Sequence, residues 1–194
     1  MQEGRRSQEE RRETTRRALI SAARRQFAEL GYAGTNTPAI AAAAGVTRGA
    51  LYHHFADKEA LFQAVVEEEH ALLALAINGA GAGDDEPGPI RALIAGGDAY
   101  LAAMQDPGRR RILLIDAPAV IARDKLDAIH ARFGLKTLVD GVGAAISAGA
   151  IRDLPVMPLA QLLDALFDRA ALAPPEQLNE YRKTIKALIR GLKT

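Results

Sequence analysis

The chain has 194 residues, 48% of them hydrophobic and 25% charged, with a formal net charge of +1, so it can bury a sizeable core and is not a polybasic coat for nucleic acid. It has no cysteine, which excludes disulfides and thiolate chemistry. The charge is uneven: residues 1–60 hold 10 Lys and Arg against 7 Asp and Glu, a balance of +3, whereas residues 61–194 carry −2. The N-terminus is charged and no apolar run approaches the roughly 18 residues of a membrane span, so a cytoplasmic protein without a membrane partner is expected.

Residues 1–13, MQEGRRSQEERRE, are nearly devoid of apolar side chains and read as a flexible arm or a frayed helical lead-in. Arg5, Arg6, Arg11 and Arg12 would either solubilise the arm or reach a minor groove, and the interleaved Glu9, Glu10 and Glu13 weaken the second option. The first helix is expected from Thr14 to Leu30, with Leu19, Ala23, Phe27 and Leu30 as its buried stripe and Gly31 as its end.

The most informative segment follows, TNTPAIAAAAGVTRGALYHHFADKEALF at residues 35–62. Thr37 or Asn36 can cap a short helix in which Pro38 suits the first turn and Gly45 the left-handed exit. Val46 can plug the corner, and Thr47 caps a second short helix. Leu51 and Phe55, four apart, share an inward face, which turns Arg48, Tyr52 and His53 outward. Asp57 caps a further helix, with Lys58 at its start in reach of a phosphate. Two short helices joined by a glycine turn have the layout of a helix-turn-helix for the DNA major groove.

The helix from Asp57 runs to about Asn78, with Leu61, Val65, Leu72 and Ala76 inward and Glu67, Glu68 and Glu69 as a solvated run. Residues 79–89, GAGAGDDEPGP, hold four glycines, two prolines and three acids and form the clearest loop. Further helices are expected near Ile90–Met104, Arg109–Ile115, Ala119–Gly149 with a break at Gly134, Pro158–Leu172 and Pro175–Leu192. The fold class is all-α: residues 14–60 form an N-terminal three-helix unit and residues 61–194 a larger helical domain. Leu159, Leu162, Leu163, Leu166 and Phe167 form one apolar stripe, and Leu178, Tyr181, Ile185, Leu188 and Leu192 another, suited either to the core or to a partner helix pair. Tyr100, Met104, Phe133, Met157 and Phe167 would line an apolar cavity or simply fill the core.

With GV-T-R-G-ALYHHF and DKEALF in order, and the approach AARRQFAELGYAGT before them, the segment from about Thr14 to Ala64 resembles the DNA-binding domain of the TetR family of bacterial transcriptional regulators. The resemblance implies that Arg48, Gly49, Ala50, Tyr52, His53 and His54 lie at or beside double-stranded DNA. It also implies that Tyr52 packs on the backbone and Lys58 contacts phosphate. Pro38 departs from the polar or basic residue of many relatives, which leaves Thr35 and Thr37 as the phosphate ligands there. The resemblance further implies a ligand-binding and dimerisation domain, whose last two helices meet their copies across a twofold axis. The homodimer would place two recognition helices on a palindromic operator. A small-molecule effector, not identified by the sequence, would tilt the fourth helix and release the DNA, with repression as the family's default. The segment RRRILLIDAPAVI, Arg109–Ile121, resembles a C-terminal subgroup of the family, against which residues 170–175 look shortened.

Two other classes compete. A helix-turn-helix can serve as a protein-interaction module without ligand response, leaving Tyr52 and His53 as a solvated surface. An enzyme needs a catalytic constellation, and none is visible. His53 and His54 point about 100° apart on a helix, and His70 and His130 are isolated. Asp84, Asp85 and Glu86 lack the pattern of a calcium loop, and Ser7, Ser21 and Ser147 have no partner. No cofactor is expected.

Overall fold

In the computed structural model, which describes residues 2–80 and 88–194 with side-chain surroundings from residue 8 onward, the regular elements are helical. The N-terminal part comprises α1 (Gln2–Gly34), α2 (Thr37–Ala43), α3 (Arg48–His54) and the long α4 (Lys58–Ala80). The body comprises α5 (Pro89–Ala103), α6 (Pro107–Arg110), a π-helical segment (Arg111–Asp116), α7 (Ala117–Val120), α8 (Arg123–Arg132), α9 (Gly134–Ser147), α10 (Val156–Ala171), a 3-10 turn (Pro175–Gln177) and α11 (Leu178–Gly191). Among the described residues there is no strand beyond an isolated bridge between Ile151 and Lys193, and no helix is long and apolar enough to cross a membrane. Of the loop expected at 79–89, residues 81–87, including Asp84, Asp85 and Glu86, lie outside the described residues, as do the side chains of Arg5 and Arg6. Gly79 belongs to α4, and Gly88 precedes Pro89 at the first turn of α5.

Helix α1 begins at Gln2 rather than Thr14, so the lead-in continues the helix. Gly31 breaks it, at φ 73° and ψ 171°, as its lack of a Cβ allows. The buried stripe advances by four from Leu19 through Ala23 and Phe27 to Gly31 itself; Leu30, expected inward, is exposed. Arg111 of the π-helical segment covers the break, donating to the carbonyls of Glu29 at 3.0 Å and Leu30 at 3.2 Å. Asp116 accepts the freed N–H of Tyr32 at 2.9 Å. Beneath them Phe27, Tyr32 and Phe62 form an aromatic cluster with centroids 4.9–5.9 Å apart.

Helix α4 corrects the expected register. Its inward stripe is Leu61, Val65, Glu69, Leu73 and Ile77, four apart throughout, while Leu72 and Ala76 are exposed. The stripe runs through Glu69, which is not solvated but 2% exposed. Its Oε1 accepts from Arg24 Nε of α1 at 2.8 Å and its Oε2 from Arg109 Nε of α6 at 2.6 Å. Arg24 continues to Asp106, whose other oxygen caps α6 through the N–H groups of Gly108 and Arg109. Because both oxygens of a buried carboxylate are met by guanidinium groups, its desolvation is offset. The long helix expected at 119–149 is three pieces, α7, α8 and α9, interrupted at Ile121–Ala122 and at Phe133 beside Gly134.

Replacing Glu69 by Gln leaves Arg24 and Arg109 facing a neutral amide and is expected to lower unfolding stability by about 2–3 kcal/mol. Chemical denaturation of E69Q against the parent checks this, and an equal midpoint would contradict the role assigned to the carboxylate.

Candidate functional site

The helix-turn-helix is built as its turn residues require. Asn36, not Thr37, caps α2 by accepting the Ala39 N–H at 2.9 Å, and Thr37 is the first helical residue beside Pro38. Gly45 sits at φ 69°, its N–H donating to Ala42 at 3.1 Å and that of Val46 to Ala41 at 3.0 Å, the paired bonds of a left-handed helix exit. Thr47 then caps α3 through the Ala50 N–H at 3.1 Å. Leu51 and Phe55 are buried, and Arg48, Gly49, Tyr52 and His53 are exposed, with Ala50 and His54 partly so. The Arg48 guanidinium lies 5.6 Å from the Tyr52 ring centre. Among the described residues a Cβ built on Gly49 meets only Thr47 Oγ1, at 3.9 Å, so none of them requires glycine there. The outcome is a flat, basic and aromatic ridge. Burial keeps the His54 imidazole below its ordinary pKa, aided by neighbouring His53, Arg12 and Arg16.

Three residues expected to reach phosphate point elsewhere in this structure. Thr35 is 3% exposed, and its hydroxyl donates to the carbonyls of Gly31 at 2.8 Å and Gln26 at 3.2 Å, stitching the break in α1. Thr37 is also buried, and its hydroxyl shares a 2.9 Å hydrogen bond with the Tyr52 hydroxyl, positioning that ring. Lys58 Nζ donates to the carbonyls of Tyr32 at 2.9 Å and Thr35 at 3.0 Å and lies 4.1 Å from the Tyr32 ring centre. Two of its three donors are thus spent holding α4 to the end of α1. The open carbonyls around the Gly31 break hold Thr35 and Lys58, while Thr37 is held by Tyr52.

In the body, α4, α5, α8, α9 and α10 enclose a chamber of ≈ 380 Å³. Tyr100, Met104, Phe133 and Phe167 line it as expected, whereas Met157 stands on the outer surface. The chamber has a polar end that the sequence reading missed. His70 and His130, read as isolated, pack edge to face with centroids 4.6 Å apart. Burial pushes the His70 imidazole down to about 3, with His130 adding to the effect. Asp164 and Asp168 line the same wall, and Tyr100 donates its hydroxyl proton to Asp168. The available signal was their spacing, four apart and each directly after a core residue, Leu163 and Phe167. Among the described residues no three His, Asp or Glu side chains cluster so as to hold a metal ion.

The apolar stripes of α10 and α11 divide between core and surface. Leu163 and Ile185, expected at a partner interface, are buried within this chain, as are Phe167 and Ile189. Leu162 and Leu188 are 66% and 51% exposed, and Leu159, Leu166, Leu178, Tyr181 and Leu192 are partly buried. Helices with apolar residues on two sides serve both a core and an outer face.

Desolvation, with Asp168 adjacent, raises the Asp164 carboxyl to about 7. Between its unfolded value near 4 and that pH the folded chain binds more protons than the unfolded one, so this group's contribution falls as pH rises. Asp164→Asn is therefore expected to stabilise the protein at pH 8, by about 1–4 kcal/mol, and to change little at pH 4. Thermal unfolding at both values checks the sign.

Two family descriptions match the chain: "Bacterial regulatory proteins, tetR family" over residues 19–65 and "Tetracyclin repressor-like, C-terminal domain" over residues 90–192. The HTH-type transcriptional repressor AcnR of Corynebacterium efficiens is 45% identical over 60 residues, 31% of this chain and 32% of that protein. Such matches to curated relatives thus span about a third of the relative's length. The crystal structure of a TetR-family transcriptional regulator from Pectobacterium atrosepticum is similar over 95% of this chain and 96% of that one, at 29% identity and a TM-score of 0.78. The fold is also that of AibR in complex with isovaleryl coenzyme A and operator DNA, with a TM-score of 0.66 at 20% identity over 90% of this chain and 97% of that one. With its N-terminal and C-terminal parts each matched in its own right, the chain belongs to the TetR family of bacterial regulators, which act by binding DNA and are not enzymes.

Proposed function

We propose that the protein is a transcriptional repressor that binds a palindromic operator as a homodimer and lets go when a small molecule occupies the chamber. The observation that carries the reading is the exposed ridge of α3, where Gly49 opens space that no described residue of the chain fills. Arg48 and His53 would read base edges, and Gly49 and Ala50 would let the backbone come close. Tyr52, held by Thr37, would pack on the phosphate backbone, with His54 at the edge. Thr35 and Lys58 act mainly as buttresses, and one N–H of Lys58 remains for a phosphate.

The outer apolar residues of α10 and α11, chiefly Leu162 and Leu188, form the dimer face, with Leu159, Leu166, Leu178, Tyr181 and Leu192 around them and Leu163 and Ile185 supporting from behind. One reading head alone makes too few contacts for operator selectivity, and a twofold pair doubles them. Helix α4 supplies the connection to the chamber: its first residue, Lys58, grips the end of α1, while His70, Leu73 and Ile77 line the cavity wall. A guest that favours another tilt of α4 must bind that state better by about 1.4 kcal/mol for each tenfold loss of DNA affinity. The relatives support the two halves of the proposal, since AcnR is named a repressor and AibR was crystallised with both an acyl coenzyme A and operator DNA.

Fragments of the host genome selected on the protein supply the DNA probe. Binding is expected to weaken steeply with salt, roughly 0.9 log units per log unit for each phosphate neutralised. Arg48→Ala and Gly49→Leu should each cost about tenfold or more in affinity without loss of thermal stability, and only Arg48→Ala should relax sequence preference. Unchanged binding in both variants, or no DNA captured, would favour a protein-interaction module. Leu162→Glu with Leu188→Glu should convert the dimer into a folded monomer on sedimentation and remove operator binding. A dimer that persists would place the interface elsewhere.

A further inference from the structure

The chamber wall is mostly apolar, and its polar end is one-sided in what it offers a guest. Asp164 and Asp168 project from α10, one turn apart, with the Tyr100 hydroxyl of α5 committed to Asp168. His70 from α4 is 5% exposed, and neither of its ring nitrogens has a partner among the described residues. Among the described residues no hydrogen bond or opposite charge stabilises the Asp164 carboxylate, whose neighbour is the like-charged Asp168. A buried polar group left unpaired costs about 1–3 kcal/mol. Asp164, only partly buried, lines the cavity and is open to a guest that enters it.

Two basic residues, Arg132 and Lys136, also line the chamber, both at exposed positions. Lys136 Nζ is held 2.6 Å from Asp140, and the Arg132 guanidinium lies 5.0 Å from the Phe133 ring centre. His130 is neutral near pH 7, because burial keeps its pKa low. Among the described residues the buried end of the chamber therefore carries the acidic groups, and the two cations stand at its exposed side. A carboxylate guest would meet two desolvated carboxyl groups, and a neutral one could hydrogen-bond to them but would not balance the charge of an ionised Asp164.

We infer that the chamber takes an amphiphilic organic cation, an apolar body bearing a protonated amine whose N–H groups are met by Asp164 and Asp168. A primary ammonium has three donors, and the oxygens of the two carboxyl groups can accept from them. The cavity, at ≈ 380 Å³, lies at the lower end of the range for drug-sized ligands. The cation restores the ionised form of Asp164, so its binding releases a proton near neutral pH. The inference rests on the proposal that the chamber is the effector site, and it adds the chemical class of the guest.

Octylamine, octanol and octanoate, equal in chain length, test it by titration calorimetry on the full chain at pH 7.5. Octylamine is expected to bind about tenfold or more tighter than octanol, with octanoate weakest. The double variant Asp164→Asn, Asp168→Asn should bring octylamine down to the level of octanol, and Ala74→Phe, which fills the chamber, should abolish binding of both. Octanoate binding as tightly as octylamine, or an amine preference that survives the double variant, would overturn the cation assignment. Release of the selected DNA fragment is read separately. If octanol or octanoate binds best and still frees the DNA, the cation class fails and the effector proposal stands. If octylamine binds through the acids yet never loosens the DNA, the reverse holds, and binding by none of the three overturns both.

Discussion

The buried carboxylate of Glu69 is the constraint on which the arrangement of this molecule depends. It stands on α4 with one oxygen on Arg24 of α1 and the other on Arg109 of α6, so three helices are registered at one point. A charge this deeply buried is tolerable only while both partners are in place. Apolar packing between α1 and α4 is non-directional, whereas the two guanidinium contacts admit one relative position. The next residue along, His70, faces the chamber, so a single turn of α4 meets both the strut and the cavity wall.

A second clamp lies at the Gly31 break. There the body contributes Arg111 and Asp116 from the π-helical segment, and α4 contributes Lys58, all directed at backbone groups that the interrupted helix leaves open. Interrupting a helix frees donors and acceptors that must be met by other means. The polar side chains at this junction are therefore structural, although several carry the charge that a phosphate ligand would need. Sequence reasoning assigned Lys58 and Thr35 outward because charge and hydroxyl are the chemistry of a phosphate contact. The competing demand of the α1 carbonyls arises only when the chain is folded.

The all-helical class and most of the helix-turn-helix were legible in the sequence. The Gly45 exit, the Thr47 cap and the Leu51 and Phe55 face depend on neighbours one to four residues away, and local spacing states such relations directly. The register of α4 was lost at Glu69, because a charged residue on the buried stripe looks like solvent until its two distant partners are known. The same holds for Asp164, Asp168 and the pair His70 and His130, which lie in separate helices and form the polar end of the chamber only by packing. Met157 failed for the opposite reason: its composition suits a cavity, but its position on α10 faces outward.

Sequence by itself determined the reading head, since caps, glycine turns and a four-residue apolar period act within a few residues and leave little to long-range packing. Tertiary structure alone decided which charges are buried, which apolar residues of α10 and α11 turn inward, and what chemistry lines the chamber. Those outcomes depend on side chains brought together from positions 40 to 100 residues apart, as Glu69 with Arg109 and Tyr100 with Asp168 illustrate. The free energy of burying a polar group is set by the partners it meets there, and spacing along the chain carries no record of them.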